Sequence, residues 1–168
     1  IDIFEQIKLI SKVGFDAIFF EWQKDLPVDE WVTAAKKEGL IVQSLHAPFK
    51  NSANFWHGDD ELANEAIYEL NECLDCCARN NIEIMIAHTF IGFKKHEPNE
   101  IGIERFKKVV EHAEKVGVKI AFENTEGEEY LFTLMDAFKN NKFVGFCWDS
   151  GHEMCYNFSE DLLQLFGH

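Results

Sequence analysis

Basic side chains are scarce in this chain of 168 residues: 16 Lys and Arg stand against 30 Asp and Glu, a formal charge of −14. That deficit argues against a nucleic-acid partner, because docking on a polyphosphate takes a Lys/Arg surface that displaces counterions. No apolar run approaches the roughly 18–20 residues of a membrane span. No charged-then-apolar leader opens the chain either, so a cytoplasmic protein without membrane contact is expected. Proline falls to 3 residues, and no linker or low-complexity tract interrupts the chain; residues 1–168 are expected to form one domain. The 5 cysteines make no even disulfide framework. Cys73, Cys76 and Cys77 fall on one side of a helix, and Cys147 with Cys155 does not supply the second pair of a thiolate zinc site. All five read as small buried apolar side chains of a reducing compartment.

Apolar residues are plentiful, at 46% with 16 Phe, enough for a sizeable core and too many for disorder. Their spacing predicts one alternation of helices and strands. A stripe of Ile3, Ile7 and Ile10 ends at Gly14, and Asp16–Trp22 reads as a strand. A helix from about Val28 to Glu38 precedes the strand Leu40–His46. Breakers mark Ala47–Gly58 as a loop, a candidate lid whose Phe49, Phe55 and Trp56, with Trp22, could stack on a ligand or simply pack. Asp59 or Asp60 caps a long helix with the buried stripe Leu62, Ala66, Leu70, Cys73, Leu74 and Cys77. Strand Ile82–His88, a helix from Asn99 to Gly117, and strand Val118–Glu123 follow. A helix with Leu131, Leu134, Met135 and Phe138, strand Phe143–Asp149, and a last helix capped by Ser159 complete the pattern. Nearly continuous apolar strands joined by helices imply a parallel sheet covered on both faces.

Alternate strand residues face opposite ways. One set, including Ile18, Phe20, Ile41, Gln43, Leu45, Met85, Ile120, Phe122, Phe146 and Trp148, suits the face that meets the helices. The other set ends, strand after strand, in Glu21, His46, His88, Glu123 and Asp149. Carboxylates and imidazoles bind divalent metals and move protons, so this convergence at the C-terminal strand ends is a candidate active site. His152, three residues after Asp149, can reach the same pocket. Asn124 either touches substrate or fixes the turn after its strand. His57, His96, His112 and His168 show no such convergence and read as surface or loop residues.

In the segments Gly14–Trp22 (GFDAIFFEW), Leu45–Phe49 (LHAPF), Ala87-His88-Thr89, Phe122–Gly127 (FENTEG) and Trp148–His152 (WDSGH), the sequence resembles the xylose isomerase-like TIM barrels. That superfamily spans sugar isomerases and epimerases and repair enzymes of the endonuclease IV type. The resemblance implies a (β/α)8 barrel and a metal-dependent isomerase or epimerase of a sugar or sugar phosphate. Such an enzyme works by proton transfer through an enediolate at a divalent ion, Mn²⁺, Mg²⁺ or Zn²⁺. It implies Glu123 and Asp149 as metal ligands, with Glu123 also the proton-transfer base. His152 would contact substrate as a catalytic group, and Glu21, His46, His88 and Asn124 would line the substrate site. In the endonuclease branch the matching histidines bind an additional zinc.

Only about five of the eight strands of such a barrel are expected here, and two further ligands, a His and a Glu, would come from strands after His168. With Ile1 in place of an initiating Met, this predicts a piece of a longer protein, or a short chain that covers its sheet edges by forming a homo-oligomer. Two other functions stay open: an endonuclease IV-like zinc phosphodiesterase, and a catalytically incomplete barrel that serves as a binding or assembly module.

Overall fold

Side-chain caps start the helices at Asp2, Asp59 and Asn99, whose oxygens accept from the backbone N–H groups of Phe4, Leu62 and Gly102. Gly117 ends one of these helices in the left-handed region, at φ 77°, where a Cβ would be strained. The computed structural model describes residues 1–93, 97–156 and 161–167. Along them run α1 (Ile3–Lys12), β1 (Ala17–Glu21), α2 (Val28–Lys37), β2 (Ile41–His46), α3 (Asn54–His57) and α4 (Asp60–Arg79). There follow β3 (Ile84–His88), α5 (Glu100–Val116), β4 (Lys119–Glu123), α6 (Glu128–Ala137), β5 (Val144–Cys147), α7 (Ser150–Tyr156) and α8 (Leu162–Phe166).

The strands form one sheet in the order β1-β2-β3-β4-β5, and every neighbouring pair is parallel. Each link between neighbouring strands passes through at least one helix. This is the βα repeat of a TIM barrel, five units long, and the expected fold class holds. Among the described residues no helix is long and apolar enough to cross a membrane.

Phe20, Leu45, Met85, Ala87, Ile120 and Phe122 are buried, as expected of the face that meets the helices. The sequence pattern misplaces the start of β2. Ile18 pairs with Val42 but Phe19 pairs with Ser44, which leaves Gln43 as the extra residue of a bulge. Val42 therefore shares the buried side with Ile18, while Ile41, opposite Ala17, is 65% exposed and Gln43 is exposed too. Beyond the bulge the alternation resumes, with Leu45 beside Phe20 and His46 beside Glu21. A single inserted residue thus puts His46 on the side of the acidic strand ends.

Other expectations need correction. Leu62 is 44% exposed, and Ala63 and Ile67 join the buried stripe of α4 instead. Cys73, Cys76 and Cys77 are buried, whereas Cys147 is half-buried and Cys155 exposed. Trp148 is not a buried strand residue; it lies past the end of β5, is 42% exposed and donates its indole N–H to Glu153 Oε2 of α7 at 2.9 Å. Within the expected loop Ala47–Gly58 sits α3, held by Trp56, whose indole donates to the Thr89 carbonyl at 2.8 Å. Phe55 stacks on Phe106 with ring centroids 4.0 Å apart, so Phe55 and Trp56 are packing residues. Asp161 caps α8; Ser159, His96 and His168 lie outside the described residues.

Candidate functional site

Strand register assembles the site. His88 lies directly opposite Glu123 in the β3–β4 ladder, and Cys147 lies opposite Glu123 on its other side. His46 is opposite Ile86, one inward-facing position before His88, and Glu21 is opposite His46. All are at the C-terminal ends of their strands, where parallel βα sheets carry their sites.

Glu123 is the hub and only 6% exposed. Its Oε2 lies 3.1 Å from His46 Nε2 and 2.9 Å from His88 Nε2. Burial alone would raise the Glu123 pKa, but the hydrogen bonds and charges of these two histidines override it and hold the carboxyl at about 2. Glu123 is a carboxylate at any working pH. Burial likewise opposes a charge on His46, and its bonds to Glu123 and to the Ala47 carbonyl raise its pKa nonetheless.

The other His46 nitrogen defines what the site asks for. Nδ1 is 2.9 Å from the Ala47 carbonyl oxygen, which only accepts, so Nδ1 carries a proton. Nε2 then faces a carboxylate. Either it is protonated as well, in an imidazolium, or its lone pair and Glu123 Oε2 share a cation between them. Donor atoms about 3.3 Å apart are what four-coordinate bonds of about 2.0–2.1 Å produce, close to the separations seen here. Phe49 stacks on His88 with centroids 4.7 Å apart, and His88 Nδ1 is buried with no hydrogen-bond partner among the described residues.

Asp149 stands two residues beyond the end of β5 and opens α7. Its Oδ1 accepts the His152 backbone N–H at 2.7 Å, a helix-capping bond that brings His152 back toward Glu123. His152 Nδ1 donates to the Asn124 carbonyl at 2.9 Å, which leaves Nε2 with a free lone pair in the neutral ring. The same Nδ1 is 4.0 Å from Glu123 Oε1. Asn124 is fully buried, and its side chain works as a clamp: Nδ2 donates to the Asp149 carbonyl at 2.8 Å, and Oδ1 accepts the Asp149 N–H at 2.7 Å. These bonds fix the turn after β4 to the start of α7.

Two groups of donors result. Glu123, Asp149 and His152 each present a ligand atom within 4.8 Å of the others, and so do His46, His88 and Glu123. Glu123 belongs to both. The set of carboxylates and imidazoles suits a divalent cation of the Mn²⁺, Mg²⁺ or Zn²⁺ kind, so the residues fit the metal that the sequence implies. Glu21 stays outside these groups. It lines, with His46 and Phe49, an adjoining cleft of about 630 Å³ whose outer wall is the exposed face of α4. That wall, Glu65, Tyr68 and Glu69, has no counterpart among the residues that the sequence singles out; their spacing of three and four, which puts them on one helix face, was the available sign. His57 and His112 are not part of the site, and bond instead to Tyr130 and Asp75.

Comparisons with known proteins agree with this architecture. The family model of the xylose isomerase-like TIM barrel matches residues 7–168. A search of curated proteins gave no match. Among solved structures, D-psicose 3-epimerase with D-tagatose from Clostridium cellulolyticum H10 is 16% identical, with a TM-score of 0.70 over 96% of this chain and 61% of that one. A sugar phosphate isomerase/epimerase from Parabacteroides distasonis ATCC 8503 is 14% identical, with a TM-score of 0.71 over 98% and 64%. The TTHB071 protein from Thermus thermophilus, soaked with ZnCl2, is 21% identical, with a TM-score of 0.73 over 96% and 69%. At these identities the likeness is one of fold, and the chain spans about three fifths of the length of the first of them. On the family match and the five-unit parallel sheet, the chain belongs to the xylose isomerase-like TIM barrel family.

Proposed function

We propose that the protein is a metal-dependent isomerase or epimerase of sugars or sugar phosphates. The observation that carries this reading is the buried Glu123 carboxylate, shared by two groups of metal-ligating side chains at the strand ends. The fold likeness to a D-psicose 3-epimerase and to a sugar phosphate isomerase/epimerase supports it. Glu123 and Asp149 would hold the metal, with His152 beside it. When bound, a divalent cation polarises a carbonyl and offsets the negative charge left when a proton leaves the neighbouring carbon.

The chain's own groups supply the rest. Glu123 Oε2 is taken up by two histidines, which leaves Oε1, 4.0 Å from His152 Nδ1, as the oxygen that would serve both the metal and the substrate proton. His152 has Nε2 available to a substrate hydroxyl or to the metal. Asn124, Asp149 and the first turn of α7 form one hydrogen-bonded unit that fixes Asp149 and His152 relative to Glu123. Phe49 and His88 stack as a partly apolar wall on one side. Glu21 and His46 line the entrance from the cleft.

With a panel of aldoses and ketoses, turnover should vanish in chelator and return on adding Mn²⁺, Mg²⁺ or Zn²⁺. Full turnover after exhaustive chelation would contradict the reading. A zinc phosphodiesterase of the endonuclease IV type has one observation in its favour, the His46–His88–Glu123 group, which suits a second ion. The charge of −14 weighs against a DNA substrate. Tight, salt-sensitive binding of abasic DNA would put that reading in place of the isomerase.

A further inference from the structure

The cleft that opens onto the site past Glu21 and His46 carries an informative charge. Four carboxylates, Glu21, Asp25, Glu65 and Glu69, line it against two ammonium groups, Lys24 and Lys50, leaving an excess of two negative charges. Lys24 Nζ lies 5.4 Å from the centroid of the Tyr68 ring, drawn toward the aromatic wall. An anionic group entering here would meet repulsion on most sides. Sugar hydroxyls would meet the opposite: carboxylates are strong acceptors for O–H donors, and the Tyr68 and Phe49 rings offer apolar faces for C–H groups. The cleft volume of about 630 Å³ is ample for a monosaccharide.

We propose that this cleft receives the uncharged, polyhydroxylated end of the substrate, so that the protein acts on a free sugar in preference to its terminal phosphate ester. The proposal rests on the sugar isomerase reading, because it places the reacting end near Glu123, 3.1 Å from the His46 nitrogen that borders the cleft.

The test compares free ketopentoses and ketohexoses with their terminal phosphate esters, by calorimetric binding to the metal-free protein and by kcat/KM of the metal-loaded one. Free sugars should be favoured by at least ~10-fold at low salt, and the preference should shrink at about 0.5 M salt as the field is screened. The Glu65→Gln/Glu69→Gln double variant, its fold checked by circular dichroism, should narrow the gap as well. Equal or better binding and turnover of the phosphate esters overturns the proposal and leaves the isomerase reading standing. Absence of binding and turnover for both sets overturns the two together.

Discussion

Glu123→Gln should reduce sugar turnover by about 10³-fold or more while the circular dichroism spectrum stays that of the parent chain. The size follows from the loss of a positioned proton acceptor, which alone is worth about 10²–10⁴-fold, compounded by the loss of a carboxylate ligand from both donor groups. The amide oxygen that replaces it can still accept from both imidazoles but carries no charge, so the attraction that holds His46 and His88 to it weakens. The fold should survive because Glu123 sits at the end of β4, where backbone pairing to β3 and β5 does not involve its side chain. Gln keeps the shape of Glu and leaves no cavity. Turnover within a few fold of the parent would contradict the role given to Glu123.

Asn124→Asp should weaken divalent metal binding by about 10- to 100-fold, the usual effect of losing a group that orients ligands. Asn124 touches neither metal nor substrate in this account and acts as a positioning residue. Its amide makes a reciprocal pair with the Asp149 backbone, and its carbonyl holds the His152 ring. An Asp there points a carboxylate oxygen at the Asp149 carbonyl, so an attraction becomes a repulsion. It also puts a second negative charge, fully buried, next in sequence to Glu123. Stability should fall by about 2 kcal/mol through the broken bond, which a urea titration would show. The informative readout is metal affinity by calorimetry under conditions where the variant is folded. An unchanged affinity would show that Asn124 serves the turn alone.

Much of this architecture was legible because the physics is local. Parallel strands covered on both faces must be almost continuously apolar, and that alone outlined all five. Asp59, Asn99 and Gly117 announced helix ends through their own hydrogen-bonding and backbone preferences. The site was legible at its core, since two-residue alternation placed Glu21, His46, His88 and Glu123 on one side.

Where reading failed, a non-local fact had intervened. The bulge at Gln43 exposes Ile41 and buries Val42, and it is fixed by pairing with β1, which no residue of β2 reveals. Trp148 looked like a strand residue, but β5 ends at Cys147 because Asp149 is already capping α7. The tie from Asn124 to the Asp149 backbone spans 25 residues and joins β4 to α7, so nothing local to Asn124 announces it. The acidic cleft was hidden because Glu65 and Glu69 are charged residues on a helix surface, indistinguishable in sequence from solvated ones until β1 and β2 bring Glu21 and His46 opposite them.

The central claim is that Glu123 and Asp149 are held together to bind one divalent cation. Crystals of the protein grown with Mn²⁺ or Zn²⁺, measured at the metal's absorption edge, address it without reference to any substrate. The account predicts an anomalous peak about 2.0–2.2 Å from an oxygen of each carboxylate, with His152 beside it. Crystals with no peak at that position, or with the metal held elsewhere and the Asp149 carboxylate turned away from Glu123, would contradict it.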